Sequence, residues 1–274
     1  MAALGAALLL VAACGGDTTF PEGSFAVVAS SDLGTGQSRI LVGVVGPEGE
    51  RLGSPVERVT FELTPIQPEG PPQRYDAAWM WLIPEVVGLY RATADFPTPG
   101  VWTVGVIPEP GPELEPVPFE VRADTFAPNL GDPAPVAPLQ TLAEAPLESL
   151  TTDPDPDEDF YRLTMEEAFT SGKKTVVVFA TPAFCTSATC GPALDVVKAV
   201  KPEHPDVNYI HVEVYTDINT PDFTPTPEHL SPAVGPQYWN LPSEPWVFVV
   251  DAAGQVTARF EGSVTPEELR TALS

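Results

Sequence analysis

The chain contains little positive charge. Only 13 of its 274 residues are Lys or Arg, against 38 Asp and Glu, and its formal net charge is −25 at pH 7. Proteins hold nucleic acids and anionic lipids by neutralising phosphates with Lys and Arg, so this composition argues against both partners. Histidine is also scarce: none of the three precedes His204, which excludes a histidine-based copper site in the earlier part of the chain.

Cysteine is equally scarce, with three residues in the whole chain. An odd number leaves one of them without an intramolecular partner. Cys185 and Cys190 are close enough in sequence to bond to each other, whereas Cys14 stands alone near the N-terminus. We therefore expect a separate task for Cys14.

Residues 1–14, MAALGAALLLVAAC, form an apolar run that is too short to span a bilayer. The tetrapeptide VAAC, which ends at Cys14, resembles the lipobox of bacterial lipoproteins, in which the signal peptide is cut before the cysteine and the cysteine is lipidated. The resemblance implies an exported protein that is anchored to the membrane by lipid on Cys14. One feature departs from it, because no Lys or Arg follows Met1. The alternative is a buried N-terminal helix.

Proline and glycine, with 34 and 21 residues, are abundant and favour strands, turns and linkers over long helices. The chain is long enough, and at 43% hydrophobic residues apolar enough, for two ordinary domains with separate cores. We predict a tether over residues 15–24, a first domain over 25–123, a linker over 124–160 and a second domain over 161–274.

Residues 25–123 contain about seven short runs of alternating or β-branched character, separated by turns rich in Pro and Gly. This pattern predicts an all-β, antiparallel sandwich of immunoglobulin-like type. We expect its large aromatic residues to lie in the core: Trp79, Trp81, Tyr90 and Trp102.

Residues 124–160 are dominated by Ala, Pro, Leu and acidic residues and end near the run TTDPDPDED. Such a composition predicts a semi-extended spacer whose acidic run stays solvated. An interpretation compatible with this one is that Phe160 and Tyr161 dock onto the second domain as its first ordered residues.

From Leu163 onward, helical and strand patterns alternate. Thr164 and Glu167 predict a capping box, and Gly172 predicts the end of that helix. A buried strand, a helix, a second strand, a hairpin and a closing helix over 265–273 follow. This is the order of elements in the thioredoxin fold, so we predict an α/β domain of that type after the sandwich.

Residues 174–192, KTVVVFATPAFCTSATCGP, deliver Cys185 and Cys190 to the start of the predicted helix. A thiol at a helix N-terminus is stabilised as the reactive thiolate, so the segment predicts redox or metal chemistry. The alternative is a disulfide that only staples the loop to the helix.

The segments FATPAFCTSATCGP, YWNLPSEPWVFVVDAAGQVTARFEG and TPEELRTAL together resemble the membrane-anchored thioredoxin-like proteins of bacteria, over roughly residues 160–274. The resemblance implies that Cys185 is the attacking nucleophile, that Cys190 resolves the mixed disulfide, and that Pro245 follows a cis peptide bond. It further implies a substrate groove bordered by Phe184, Glu244, Pro245 and Trp246.

Two features depart from that family. Four residues separate the cysteines where thioredoxins have two, and helical neighbours five apart are about 8 Å apart, beyond the 4.4–6.8 Å of a disulfide. The chain around residues 186–189 must therefore be irregular or must unwind to close the bond. In addition, Val178 stands where thioredoxins place a buried acid, which removes the proton acceptor for Cys190.

Three other functions remain open. CTSATCG resembles a segment of one-chain atypical peroxiredoxins, and by that resemblance Cys185 would attack peroxide and Cys190 would resolve the sulfenate. Two features depart from that family: Phe184 is one residue more than the family has before its first cysteine, and only Arg259 could serve as the active-site cation. Copper delivery would need a histidine where Glu244 stands. A binding scaffold would use the long loop over 216–241, with Tyr238 and Trp239 as contacts.

The sequence therefore predicts an extracytoplasmic, lipid-anchored thiol-disulfide oxidoreductase that needs no metal or cofactor. Its partners would be protein thiols or disulfides outside the cytoplasm, and it would reach the bacterial cell membrane through lipid on Cys14 and not through charge.

Overall fold

The computed structural model describes residues 19–185 and 187–274, and this part of the chain is mostly β. The predicted signal peptide, the lipid site at Cys14 and the first residues of the predicted tether lie outside the described residues. The rest of that tether contacts the first sheet: Phe20 is buried in its core, and the Thr19 backbone N–H donates to the Pro110 carbonyl at 3.1 Å.

Nine strands form one large sheet, in the order β1-β3-β7-β6-β5-β8-β9-β2, with β4 paired to β3. Except for the parallel pair of β2 and β9, neighbouring strands are antiparallel. The strands are β1 (Phe25–Val28), β2 (Leu33–Gly34), β3 (Gly36–Val45), β4 (Arg51–Leu52), β5 (Arg58–Gln67), β6 (Gln73–Ile83), β7 (Val87–Phe96), β8 (Gly100–Glu109) and β9 (Val117–Arg122).

The large sheet curls around one apolar core, to which β3, β5, β7, β8 and β9 all contribute. In β5, Val59, Phe61 and Leu63 are buried while the residues between them are partly exposed, the two-residue period of a strand with one face on a core. Tyr90 and Trp102 are fully buried, as predicted. Trp81 is exposed, contrary to the prediction, and packs edge-on against the half-buried Trp79.

A second, four-stranded sheet, the small sheet, has the order β11-β10-β12-β13. β10 is parallel to β11 and antiparallel to β12, and β13 is antiparallel to β12. Its strands and the three helices are α1 (Met165–Thr170), β10 (Thr175–Phe179), α2 (Cys190–Val200), β11 (Asn208–Val212), β12 (Trp246–Val250), β13 (Val256–Glu261) and α3 (Pro266–Leu273).

Both faces of the small sheet are covered. On β10, Val177 and Phe179 belong to one apolar cluster, and Val176 and Val178 belong to another that includes α2 and α3. All five β10 residues are buried, as a continuous run of β-branched residues predicts. Among the described residues, no helix is long and apolar enough to cross a membrane.

Capping boxes start α1 and α3. Thr164 and Glu167 form the predicted box of α1, and Thr265 and Glu268 form a second one at α3. In both, the threonine hydroxyl accepts from the third backbone N–H of the helix while the glutamate accepts from the threonine N–H, so two otherwise unpaired donors are satisfied.

Residues 124–160 contain only short 3₁₀ turns, but they lie against the small sheet instead of forming a solvated spacer. The Gly131 N–H donates to the Val256 carbonyl at 2.8 Å. Lys198 pairs with Asp153 at 2.8 Å, so the acidic run is partly neutralised by α2. Phe160 and Tyr161 are buried, which confirms the prediction that they dock.

Ion pairs join the large sheet to the part of the chain that holds the small sheet. Arg39 of β3 donates through Nε to Glu268 Oε1 of α3 at 2.7 Å, and the two side chains are 8% and 10% exposed. Arg259 of β13 pairs at 2.7 Å with Asp32, which precedes β2. Because these charges are buried, each depends on its partner.

Candidate functional site

Cys185 and Cys190 form a disulfide just beyond the carboxyl end of β10. Their Cα atoms are 6.0 Å apart, inside the range that a disulfide spans. The helix begins only at Cys190, and Ala188, with a φ of 58°, donates its N–H to the Cys185 carbonyl at 3.2 Å. Of the two alternatives that the spacing left open, an irregular segment before the helix is therefore the one observed.

The two cysteines differ in exposure. Cys185 is partly exposed, whereas Cys190, the first residue of α2, is completely buried. Cys185 Sγ accepts the backbone N–H of Cys190 at 3.3 Å, and this N–H belongs to the set that a helix N-terminus leaves unpaired. Ser187 Oγ lies 3.2 Å from the same sulfur. Solvent and partners can thus reach Cys185, and two polar groups surround the charge that forms there on reduction.

Glu244 is the acidic group beside the buried sulfur. Its Oε2 lies 3.6 Å from Cys190 Sγ, and the Glu244–Pro245 peptide bond just before β12 is cis, as the resemblance implies. Burial, followed by the negative charge of Glu213, raises the pKa of Glu244 to about 7. A carboxyl group with this pKa can both accept and release a proton near neutral pH.

Glu213, the residue after β11, is the second carboxylate of the site. Its Oε1 accepts hydrogen bonds from Thr151 Oγ1 at 3.2 Å, Thr152 Oγ1 at 2.9 Å and the Thr152 backbone N–H at 2.5 Å. Its Oε2 is buried and has no hydrogen-bond partner among the described residues. Thr152 Oγ1 also accepts the Ala183 N–H at 3.1 Å, which ties the predicted spacer to the loop before Cys185.

Neither contribution was expected from sequence. The sequence places Glu244 at the predicted groove, and the apolar Val178 predicts that Cys190 has no buried acid as its proton acceptor. Val178 is indeed a buried apolar residue of β10, but Glu244, from the segment just before β12, lies beside Cys190 Sγ. The available signal is the position of Glu244 directly before Pro245, because the family resemblance places both residues at the substrate groove.

The predicted groove residues do not all meet at the disulfide. Phe184 is partly exposed and packs on Phe223 of the long loop, with ring centroids 4.7 Å apart. Trp246 is buried in the core and stacks on Phe248 at 5.4 Å, so its ring faces away from solvent. Trp239, the contact proposed for a binding scaffold, is completely buried as well.

The histidines have different surroundings. His211 on β11 is buried, and the Tyr161 hydroxyl lies 2.6 Å from its Nδ1 while the Ala180 carbonyl lies 3.0 Å from its Nε2. With Nε2–H donating to the carbonyl, Nδ1 accepts from Tyr161, so both ring nitrogens are satisfied. His204 and His229 are partly exposed.

The side chains of Cys185, Cys190 and Glu244 each place one potential ligand atom within 4.8 Å of the others. Thiolate is the form of cysteine that binds metals. Since both sulfurs are bonded to each other, this form of the site offers a cation only the Glu244 carboxylate.

What the geometry provides is a disulfide with one accessible sulfur, one buried sulfur, and a carboxyl group of near-neutral pKa against the buried one. Comparisons of the chain with protein-family models, with curated proteins and with solved structures found no match.

Proposed function

We propose that the chain is a thiol-disulfide oxidoreductase of the thioredoxin-like superfamily, in which Cys185 and Cys190 exchange electrons with protein thiols or disulfides. The single observation that carries this proposal is the asymmetry of the disulfide. A disulfide with only a structural role does not require one cysteine to be partly exposed with its sulfur accepting a helix N–H. Nor does it require the other cysteine to be buried with its sulfur beside a carboxyl group.

The order of elements supports the thioredoxin-like assignment. β10, α2 and the parallel β11 are followed by the antiparallel pair β12 and β13 and by α3, with the disulfide where β10 leads into α2. The antiparallel neighbours of the large sheet, curled around one core, similarly support an immunoglobulin-like sandwich as the partner domain.

In the reducing direction, the Cys185 thiolate attacks a partner disulfide, forms a mixed disulfide and releases one partner thiolate. The Cys190 thiol then gives its proton to Glu244, and the resulting thiolate attacks Cys185 Sγ. The Cys185–Cys190 bond forms, the mixed disulfide breaks, and the second partner thiolate takes the proton from Glu244. Two electrons pass from the dithiol to the partner, and the reverse sequence oxidises a partner dithiol.

Among the alternatives, the peroxidase would require a cation close to Cys185. Arg259, the candidate for that task, is instead held by Asp32 at 2.7 Å and lies over the Trp246 ring, 5.1 Å from its centroid. Thiol exchange requires no such cation, so we favour it.

Trapping of mixed disulfides tests the roles of the two cysteines. We expect Cys190→Ser to accumulate covalent adducts with partner proteins, because the attacking sulfur remains and the resolving sulfur is gone. Cys185→Ser should accumulate none. Equal trapping by the two variants would remove the role assignment, and an absence of adducts with either would count against exchange altogether.

We also propose that the protein works outside the cytoplasm, anchored through lipid on Cys14. The lipobox resemblance supports this, and the net charge of −25 leaves little electrostatic attraction to anionic membranes. Cys14→Ala should move the protein from the membrane fraction to the soluble fraction. Retention in the membrane fraction would contradict the anchor.

A further inference from the structure

A cavity of about 400 Å³ opens beside the disulfide. Ser187, from the segment between the two cysteines, lines one side, and Glu244, the residue against Cys190 Sγ, lines another. The remaining walls are mainly apolar and include Val214, Leu230 and Leu241. The cavity therefore adjoins the disulfide through Ser187 and Glu244, while neither cysteine is part of its lining.

Backbone hydrogen bonds preform the walls of this cavity. The Ser231 N–H donates to the Val214 carbonyl at 2.8 Å, and the Leu241 N–H donates to the Val234 carbonyl at 3.0 Å. Leu230 is fixed by an antiparallel bridge to Tyr215, although its side chain is 43% exposed. A large apolar side chain held in an exposed position beside a cavity gains free energy when another apolar group covers it.

The charges at the cavity restrict what can enter. Glu244 lines it, and Glu213 is close enough to raise the pKa of Glu244. Tyr215, whose pKa is raised by burial and by Glu244, stays neutral. An acidic group in the cavity would be repelled by these carboxylates and would lose hydration against apolar walls.

We propose that this cavity binds a bulky apolar side chain that lies one or two residues from the exchanging cysteine of the partner polypeptide. The proposal rests on the proposed thiol exchange and names its substrate class. Ser187 Oγ is 3.2 Å from Cys185 Sγ, so a partner sulfur bonded to Cys185 lies beside the cavity. A strand advances about 3.3 Å per residue, which brings the neighbouring side chains within reach.

Peptide disulfides test this selectivity. Each peptide carries one cysteine as a mixed disulfide with 5-thio-2-nitrobenzoate. Phe, Ala or Asp occupies a single position, either one or two residues before the cysteine or one or two residues after it. The reduced full chain should react with the best Phe peptide about tenfold or more faster than with the matching Ala peptide, and most slowly with the Asp peptide. Equal rate constants for Phe and Ala at all positions would overturn the proposal.

Two variants at Leu230 connect the selectivity to the cavity. Leu230→Asp adds a charge at the apolar wall, and Leu230→Trp fills the space without charge; each should reduce the Phe preference to less than about threefold. Leu130→Asp is the matched control, since Leu130 is 40% exposed and lies near the Val256 end of β13, away from Pro245. A Phe preference that survives both Leu230 variants would contradict the proposal.

Reactivity with small thiols separates this inference from the proposed function. Dithiothreitol carries no amino-acid side chain for the cavity to bind, so the rate at which it reduces the disulfide in the wild type and in all three variants reports the reactivity of the sulfurs alone, and the peptide rate constants are divided by it. If peptides exchange without selectivity, only the cavity assignment fails. If no peptide exchanges and Cys190→Ser traps no partner, the proposed function fails with it.

Discussion

The two sheets are built from similar strands but carry different chemistry. Residues 25–122, which contain the large sheet, include no Cys or His, and the core of that sheet is apolar and aromatic. The small sheet instead has a disulfide, a buried histidine and two carboxylates near one end of its strands, where β10 and β11 end and β12 begins. One part of the molecule thus supplies packing, while the other holds polar groups whose partners come from distant segments.

Those distant segments explain how the small sheet accommodates its polar groups. Thr151 and Thr152, from the stretch predicted as a spacer, donate to Glu213, and Tyr161 donates to His211. A buried polar group without such partners costs about 1–3 kcal/mol. The polar site is thus supported by the segment that connects the two sheets.

A core truncation in the large sheet should destabilise the protein most. Phe61→Ala should lower the free energy of unfolding by about 4 kcal/mol, because it removes a fully buried ring. Phe25→Ala, at a ring that is 47% exposed, should cost less than about 1 kcal/mol. Denaturant unfolding measures both. If the reduction potential of Cys185 and Cys190 also changed in folded Phe61→Ala, the separation of packing from chemistry would be wrong.

A smaller effect is expected where the two parts meet. Arg39→Met removes the bidentate partner of Glu268 but leaves Arg91, 3.3 Å from the same carboxylate, so it should cost about 2 kcal/mol, less than leaving a buried charge wholly unpaired. Arg58→Met, which breaks an exposed pair with Glu109, should cost about 0.5 kcal/mol or less. Equal costs for the two substitutions, measured by chemical denaturation, would show that the buried contact does not hold the parts together.

The smallest effect concerns pH. Because Glu244 accepts the Cys190 proton as carboxylate and has a pKa of about 7, the resolving step should be about tenfold slower at pH 6 than above pH 8. Glu244→Gln should be slow throughout and lose this dependence, while Glu213→Gln should shift the midpoint to lower pH. Stopped-flow resolution of a preformed mixed disulfide measures the step. An unchanged profile in Glu244→Gln would exclude the carboxyl group as proton acceptor.

The same pKa has a consequence for stability. The folded-state pKa of Glu244 lies above its ordinary value of 4.5, so the protonated form favours the fold. This contribution is fully present below about pH 4.5 and is lost as the pH rises through about 7. In thermal melts from pH 5 to pH 8, Glu244→Gln should therefore lose less stability than the wild type.

Local features of the sequence were predictable because neighbouring residues determine them. The capping box of Thr164 and Glu167 needs only a three-residue spacing, and the buried β10 follows from a run of β-branched residues. The contact between Glu244 and Cys190 joins residues 54 positions apart, and its chemistry depends on burial that no local pattern reports. The same holds for Trp246, which directly follows Pro245 but whose ring stacks on Phe248 in the core.

The reduction potential of Cys185 and Cys190 tests directly whether this site exchanges thiols. It is measured in the Cys14→Ala chain by equilibration in graded thiol buffers and counting of free thiols by mass. An exchange-active pair should have a potential between about −120 and −270 mV. A potential below about −300 mV is typical of structural disulfides and would contradict the assignment of thiol exchange to this site.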